Sequence, residues 1–111
     1  MSRRIGVLIS GRGSNLQALI DAQTKGTLGG EIAIVISNVE DAHGLQRAHS
    51  AGIPGVFRDH RGRSREAFDV ELQGLLEHHR VDLVCLAGFM RLLSSAFVRG
   101  FSGRIGRFRG G

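Results

Sequence analysis

A glycine-rich loop is the first segment of the chain whose residues could do chemistry. It follows an apolar run at 5–9, predicted to be a buried strand, and precedes a helix for which Ser14 is the expected N-cap. Gly11 and Gly13 allow the backbone to turn tightly and to approach an anion closely. The free N–H groups and the positive dipole end at the helix start favour a bound phosphate over a turn that binds nothing.

Two familiar nucleotide sites do not fit this loop. The dinucleotide fingerprint requires a third glycine, where this chain has Leu16, and an acidic residue after the second strand, where Ser37 and Asn38 stand. The lysine of a Walker phosphate loop is also absent. A nicotinamide-dependent oxidoreductase is therefore disfavoured, and a phosphorylated small molecule remains the expected ligand.

A second candidate segment, residues 86–93, follows the fourth predicted strand. Its apolar side chains would give a flat ligand an adaptable wall, and they are Phe89, Met90, Leu92 and Leu93. Arg91 adds a cation for a carboxylate or a phosphate. Ordinary core packing with one solvated arginine explains this segment equally well. Arg65, at the start of the third predicted helix, could also reach an anionic ligand, although exposure to solvent is the commoner role of such a residue.

The charge balance indicates a small anionic partner rather than a nucleic acid. The chain has 15 Lys and Arg residues against 10 Asp and Glu residues, for a net charge of +5. Much of this excess lies near the end, in Arg104, Arg107 and Arg109. No aromatic residues alternate with the arginines of 58–65, as a stacking surface for bases would require. We therefore expect no nucleic-acid partner and an anionic small-molecule ligand.

The cysteine, histidine and apolar content exclude further classes of protein. The single cysteine, Cys85, excludes an intrachain disulfide and is expected to be a buried, inert thiol in a reducing compartment. His43, His49 and His60 show no metal-ligand spacing with one another or with Cys85, so we assign no metal. No apolar run approaches the ~20 residues that span a bilayer, and no signal-peptide pattern opens the chain. We expect a cytoplasmic protein without a membrane partner.

The hydrophobic pattern predicts an α/β fold that positions these segments. Apolar runs predicted as strands alternate with amphipathic helices in the order β-α-β-α-β-α-β. The strands cover 5–9, 32–36, 55–58 and 82–87, and the helices cover 14–25, 41–51 and 64–79. Short connections and buried strands indicate an open, mainly parallel sheet with helices on both faces, in which the first and fourth strands are neighbours. The glycine-rich loop and segment 86–93 would then face each other across a cleft.

The end of the chain fits this pattern less well. The apolar fourth strand is expected to have another strand beside it, but only Arg104 and Ile105 suggest one. Residues 102–111 therefore receive no structural assignment. We expect one domain over residues 1–103, with its sheet ending after the fourth strand, and a tail rich in Gly and Arg over residues 104–111.

The glycine-rich loop, over Ser10–Gln17, and segment 86–93 together resemble the phosphoribosylglycinamide formyltransferases, the folate-dependent transformylases of purine biosynthesis. Shorter matches follow in the expected order, at 36–38, 51–54, 64–69 and 94–98. The resemblance implies a formyltransferase-like Rossmann fold and transfer of a formyl group from 10-formyltetrahydrofolate to glycinamide ribonucleotide. The residues implied for the ribonucleotide phosphate are Gly13, Ser14 and Asn15, and those implied for the folate pocket are Arg65, Met90, Arg91, Leu92 and Leu93.

The resemblance breaks where the family carries its catalytic residues. In family members Asn-x-His-Pro comes just after the fifth strand begins, and an Asp follows further on; the Asn and His would stabilise an oxyanion and help to move protons. This chain instead reads Gly106-Arg107-Phe108-Arg109, and an arginine has too high a pKa to accept and release a proton in the reaction. We therefore expect no catalytic residue and no activity, and a shifted reading frame or a premature end of the gene would explain the break. A short non-catalytic module that binds a phosphorylated ligand is the alternative.

Overall fold

The computed structural model describes residues 3–11, 13–40, 42–89, 93–101 and 104–107, which build an open sheet with helices on both faces. In chain order the elements are β1 Arg3–Ile9, α1 Ser14–Lys25, β2 Gly30–Ser37, α2 His43–Ser50, β3 Gly55–Phe57, α3 Arg65–His78, β4 Leu83–Leu86, α4 Ser95–Gly100 and β5 Ile105–Arg107. The strands are parallel and lie in the order β3-β2-β1-β4-β5, which confirms the predicted architecture. Within the described ranges, no helix is long and apolar enough to cross a membrane.

The central strands are buried on both faces, which is why their sequences are continuously apolar rather than alternating. On one face, α1 and α2 cover the side chains of Val7 and Ile9 from β1. On the other face, α3 and α4 cover Leu8 from β1 together with Ile34 and Ile36 from β2. Alternate residues of one strand thus belong to two separate cores, and these cores fix the sheet between two helical layers.

A short fifth strand is the main difference from the sequence prediction. β5 pairs in parallel with β4, so that Ile105 lies opposite Val84 and Arg107 lies opposite Leu86. Three residues carry too little periodicity to be recognised as a strand. Their pairing with β4, together with the packing of Ile105 against the core, places them in the sheet. The division into a domain over 1–103 and a tail over 104–111 stays a prediction, and β5 lies within that tail.

Hydrogen bonds tie the amino ends of β1 and β4 together. The Arg4 N–H donates to the Asp82 carboxylate at 3.0 Å, and the Asp82 N–H donates to the Arg4 carbonyl at 2.7 Å. The Arg4 guanidinium donates through Nε to the His79 carbonyl oxygen at 2.9 Å. Burial, and then the positive charges of His78 and Arg4, lower the pKa of His79 below its ordinary value of 6.5. Protonation of His79 therefore opposes folding.

We expect His79 to make the protein less stable in mild acid. Because the folded pKa of His79 lies below 6.5, the unfolded chain binds more protons near that pH. The free energy of unfolding then falls as the pH falls below 6.5, until the folded pKa is passed. Urea unfolding at about pH 7.5 and about pH 5.5 should show a smaller loss of stability in His79→Gln than in the unmodified chain. An equal loss in both proteins would contradict this role.

Candidate functional site

The glycine-rich loop leaves the start of α1 open at the carboxyl edge of the sheet. Gly13 precedes α1 and has a left-handed φ of 78°, which glycine adopts without strain. The prediction that Ser14 is the N-cap is wrong, because Gly13 makes the turn into the helix and Ser14 is the first residue of α1. Among the described residues, no side chain caps this helix start. The N–H groups of the first turn are therefore not satisfied by a side-chain cap.

Pairing of β1 with β4 brings this loop opposite the end of β4. Leu8 lies opposite Leu86 in the sheet, and the Ala87 N–H donates to the Leu8 carbonyl at 3.0 Å. A cleft of about 240 Å³ separates the loop from the residues that follow β4. The cleft is lined by Ser10, Gly11, Gly13, Ser14, Asn15, Ala87 and Gly88. All three residues predicted to bind phosphate thus lie on the wall of one cleft.

Contacts from α2 and from the end of β2 hold the loop in place. The Gly44 N–H, in the first turn of α2, donates to the Gly11 carbonyl at 3.2 Å. The backbones approach so closely that a Cβ on Gly13 would lie 2.5 Å from the Gly44 Cα. The Ser10 hydroxyl donates to Asn38 Oδ1 at 2.6 Å. These contacts, all within the protein itself, fix the conformation of the loop backbone.

Gly44 and Asn38 are site residues that the sequence patterns do not identify. A glycine in the first turn of a helix is a weak signal of close approach, because better helix formers are usual there. Asn38 offers no such signal, since its partner Ser10 is 28 positions away in the chain.

Three of the five residues predicted to bind folate lie outside the described residues, namely Met90, Arg91 and Leu92. Leu93 is half-buried and packs against the core that α3 and α4 share. Arg65 is the first residue of α3; it is exposed and is not among the residues that line the cleft. The structure therefore brings the three phosphate residues together and does not bring Arg65 to them.

Several arginines of the region 58–65 pair with carboxylates of the protein itself. Arg58 and Arg63 both pair with Glu71 of α3, the former through Nε at 3.0 Å. Arg61 pairs with Asp59 at 3.0 Å, and hydrogen bonds from Arg61 lower the pKa of the Asp59 carboxyl. These pairs order the connection between β3 and α3 and offset much of its positive charge.

Cys85 is half-buried, whereas the sequence predicts a buried thiol. Its neighbour in β5 is Gly106, which has no side chain to cover it on that side of the sheet. Within the described parts of the chain, no group of three His, Cys, Asp or Glu residues could hold a metal ion.

Known proteins resemble this chain over most of its length. It is 53% identical over 106 residues to the trifunctional purine biosynthetic protein adenosine-3 of Drosophila melanogaster, an alignment that covers 93% of this chain and 8% of that protein. It is 49% identical over 102 residues to the phosphoribosylglycinamide formyltransferase of Escherichia coli, covering 91% of this chain and 48% of the relative. The chain therefore spans about half the length of the bacterial relative and a small part of the trifunctional one.

Solved structures and the family comparison agree with these relatives. Glycinamide ribonucleotide transformylase 1 from Symbiobacterium toebii superimposes with a TM-score of 0.90 at 48% identity, over 94% of this chain and 50% of that structure. The sequence profile of the Formyl transferase family matches residues 3–106. Because this match covers nearly the whole chain, including the residues that line the cleft between β1 and β4, the chain belongs to the formyl transferase family.

Proposed function

We propose that the cleft binds the phosphate of glycinamide ribonucleotide and that a reduced folate binds beside it. The observation that carries this proposal is the open start of α1, which faces a cleft and has no side-chain cap among the described residues. Gly13, Ser14 and Asn15 would hold the phosphate through N–H groups of the loop and first turn. The positive end of the helix dipole adds to the stabilisation of a phosphate dianion.

For the formyl donor, 10-formyltetrahydrofolate, we propose a pocket formed by Arg65, Met90, Arg91, Leu92 and Leu93. The apolar side chains would pack against the flat ring system, and the guanidinium groups would pair with carboxylates. Support for the folate pocket comes from its position, because segment 86–93 includes Ala87 and Gly88, which line the cleft. Arg65 is exposed and therefore accessible to a ligand. The reaction of the relatives belongs to purine biosynthesis, and we expect this chain to act in the cytoplasm.

Formyl transfer itself requires groups that this chain does not offer. The amine of the ribonucleotide attacks the formyl carbon of 10-formyltetrahydrofolate, negative charge develops on the formyl oxygen, and the attacking amine loses a proton. The bond from the formyl carbon to N10 then breaks, N10 takes up a proton, and tetrahydrofolate leaves. The family places Asn-x-His-Pro just after the fifth strand begins, where this chain has Gly106-Arg107-Phe108-Arg109. An arginine stays protonated and cannot accept that proton. We therefore propose that the 111-residue chain binds both ligands without transferring the formyl group.

The alternative is a non-catalytic module that binds a phosphorylated ligand alone. It rests on the same loop as the main proposal, because Gly13, Ser14 and Asn15 suffice for it. The two proposals differ in the folate, which the phosphate-binding module does not need. Folate binding by the isolated chain therefore distinguishes them.

Calorimetric titration of the 111-residue chain with glycinamide ribonucleotide, and separately with 10-formyltetrahydrofolate, tests the proposed function. We expect saturable binding of each ligand and no formylated product when both are present together. Binding of the ribonucleotide without any binding of folate would favour the phosphate-binding module. No binding of the ribonucleotide would contradict the proposal, and formation of product would contradict the absence of a catalytic residue.

Gly13→Ala should disrupt phosphate binding, and Gly26→Ala is its matched control. Both glycines have left-handed φ angles, 78° and 75°, so alanine at either site is strained by about 1–2 kcal/mol. An added Cβ meets no atom within 4 Å at Gly26, whereas at Gly13 it meets the Gly44 backbone. We expect G26A to lose about that stability and to keep its affinity for glycinamide ribonucleotide, while G13A loses more stability and binds about tenfold more weakly or worse. Equal affinities, measured by calorimetry on folded protein, would rule out this role for Gly13.

A further inference from the structure

A network of three side chains, Ser10, Asn38 and His60, links the start of the glycine-rich loop to the connection between β3 and α3. The Ser10 hydroxyl donates to Asn38 Oδ1 at 2.6 Å, and Asn38 Nδ2 lies 3.3 Å from His60 Nδ1. Strands β1, β2 and β3 are neighbours in the sheet, and the three residues follow their carboxyl ends in the same order. The network therefore runs along the edge of the sheet that carries the proposed phosphate site.

The direction of each hydrogen bond in this network fixes the state of the imidazole. Because Asn38 Oδ1 accepts from Ser10, the group that Asn38 turns to His60 is its amide nitrogen, which can only donate. His60 Nδ1 must therefore accept, and the proton of the neutral ring lies on Nε2. Asn38 is 7% exposed, so water can do little to replace a partner that its amide loses.

Packing against α3 holds the imidazole in place. The His60 ring meets the Phe68 ring edge to face, with their centroids 6.1 Å apart, and Phe68 is fully buried. Asp59 and Arg61, on either side of His60 in the chain, form an ion pair with each other. The acceptor that Asn38 needs is thus supplied by a ring that rests on the core of the protein.

The three residues of the network lie on two different hollows of the surface. Ser10 lines the cleft of about 240 Å³, next to Gly11 and Gly13. Asn38 and His60 line a separate hollow of about 350 Å³. Ser10 immediately precedes Gly11, so its position sets where the glycine-rich loop begins. His60 can therefore influence a ligand in the cleft through Asn38 and Ser10, without touching it.

We infer that His60 is a positioning residue for the phosphate side of the cleft. By accepting from the Asn38 amide nitrogen, Nδ1 keeps Asn38 Oδ1 turned towards Ser10 and so holds the first residue of the loop. Without that acceptor, the buried amide lacks one partner whichever way it turns, and the bond to Ser10 is weakened. This inference rests on the proposed function, since the loop that it concerns is the one proposed to bind the ribonucleotide phosphate.

Two variants at position 60 isolate the hydrogen-bond acceptor. His60→Asn can place its Oδ1 where the imidazole Nδ1 lies, because each of these atoms is bonded to Cγ. His60→Leu places a methyl group there instead. His49→Leu is the matched control, because it removes a histidine that contacts the Gly55 carbonyl at 3.1 Å and has no part in the network.

Affinity for glycinamide ribonucleotide is measured by calorimetry, and folding is checked by urea unfolding. We expect H60L to bind about three- to tenfold more weakly, as loss of one neutral hydrogen bond implies. H60N and H49L should both stay within about twofold of the unmodified chain. Ser10→Ala should also weaken binding, and H60L should weaken it no further when combined with S10A, because both changes act on one network.

The state of the imidazole is measured separately, on the unmodified chain without ligand. In nitrogen–proton spectra of the imidazoles at about pH 7.5, the His60 signals are those that are absent from H60N. They should show a proton on Nε2 and none on Nδ1. This measurement tests the network even if H60L does not fold.

A proton on His60 Nδ1 would overturn the inference, and so would equal losses of affinity in H60L and H60N. The same holds if H60L lowers the affinity of S10A by as much as it lowers that of the unmodified chain. If the unmodified chain binds no ribonucleotide, the proposed function fails and this inference fails with it. Equal binding by the unmodified chain and by folded H60L removes the inference alone.

Discussion

Parallel pairing between β1 and β4 at the centre of the sheet is the interaction on which the rest of the structure depends. In this register Val7 lies opposite Cys85 and Leu8 lies opposite Leu86, so the two strands end at the same level. Hydrogen bonds at both ends of the pair hold this register, from the Asp82 N–H to the Arg4 carbonyl at 2.7 Å and from the Ala87 N–H to the Leu8 carbonyl at 3.0 Å. The loop after β1 and the segment after β4 therefore emerge side by side and form the two walls of one cleft.

Close packing of glycines gives the glycine-rich loop, on one side of the cleft, its shape. The backbones of Gly13 and Gly44 approach too closely for a side chain on Gly13, and the Gly44 N–H bonds to the Gly11 carbonyl. The start of α1 is thereby held against the start of α2, and its first residues line the cleft. The local sequence, the helix packing and the proposed binding of an anion thus depend on the same few residues, and a larger residue at Gly13 would have to displace the backbone at Gly44.

Much of this fold can be predicted from short stretches of sequence, because each strand and the glycine-rich loop has a recognisable pattern within a few residues. Continuous apolar runs such as Ile5–Ile9 identify buried parallel strands, and the glycine-rich loop identifies a candidate anion site at the start of α1, although the residue that precedes the helix is Gly13 and not the predicted cap Ser14. The features that escape prediction depend on partners distant in sequence. β5 is defined by its pairing with β4, Asn38 by its bond to Ser10, and His60 by its contact with Asn38, which is 22 positions away. No short window of sequence contains both members of such a pair.

The central claim is that the loop after β1 is an anion site that works within these 111 residues. The most direct test is an amide nitrogen–proton correlation spectrum of the chain, recorded during titration with glycinamide ribonucleotide. We predict that the largest shifts fall on the amides of Gly11, Gly13, Ser14 and Asn15, with smaller shifts at Ala87 and Gly88 across the cleft. Shifts concentrated on the arginines of 58–65 or of 104–109, with the loop amides unchanged, would contradict the account.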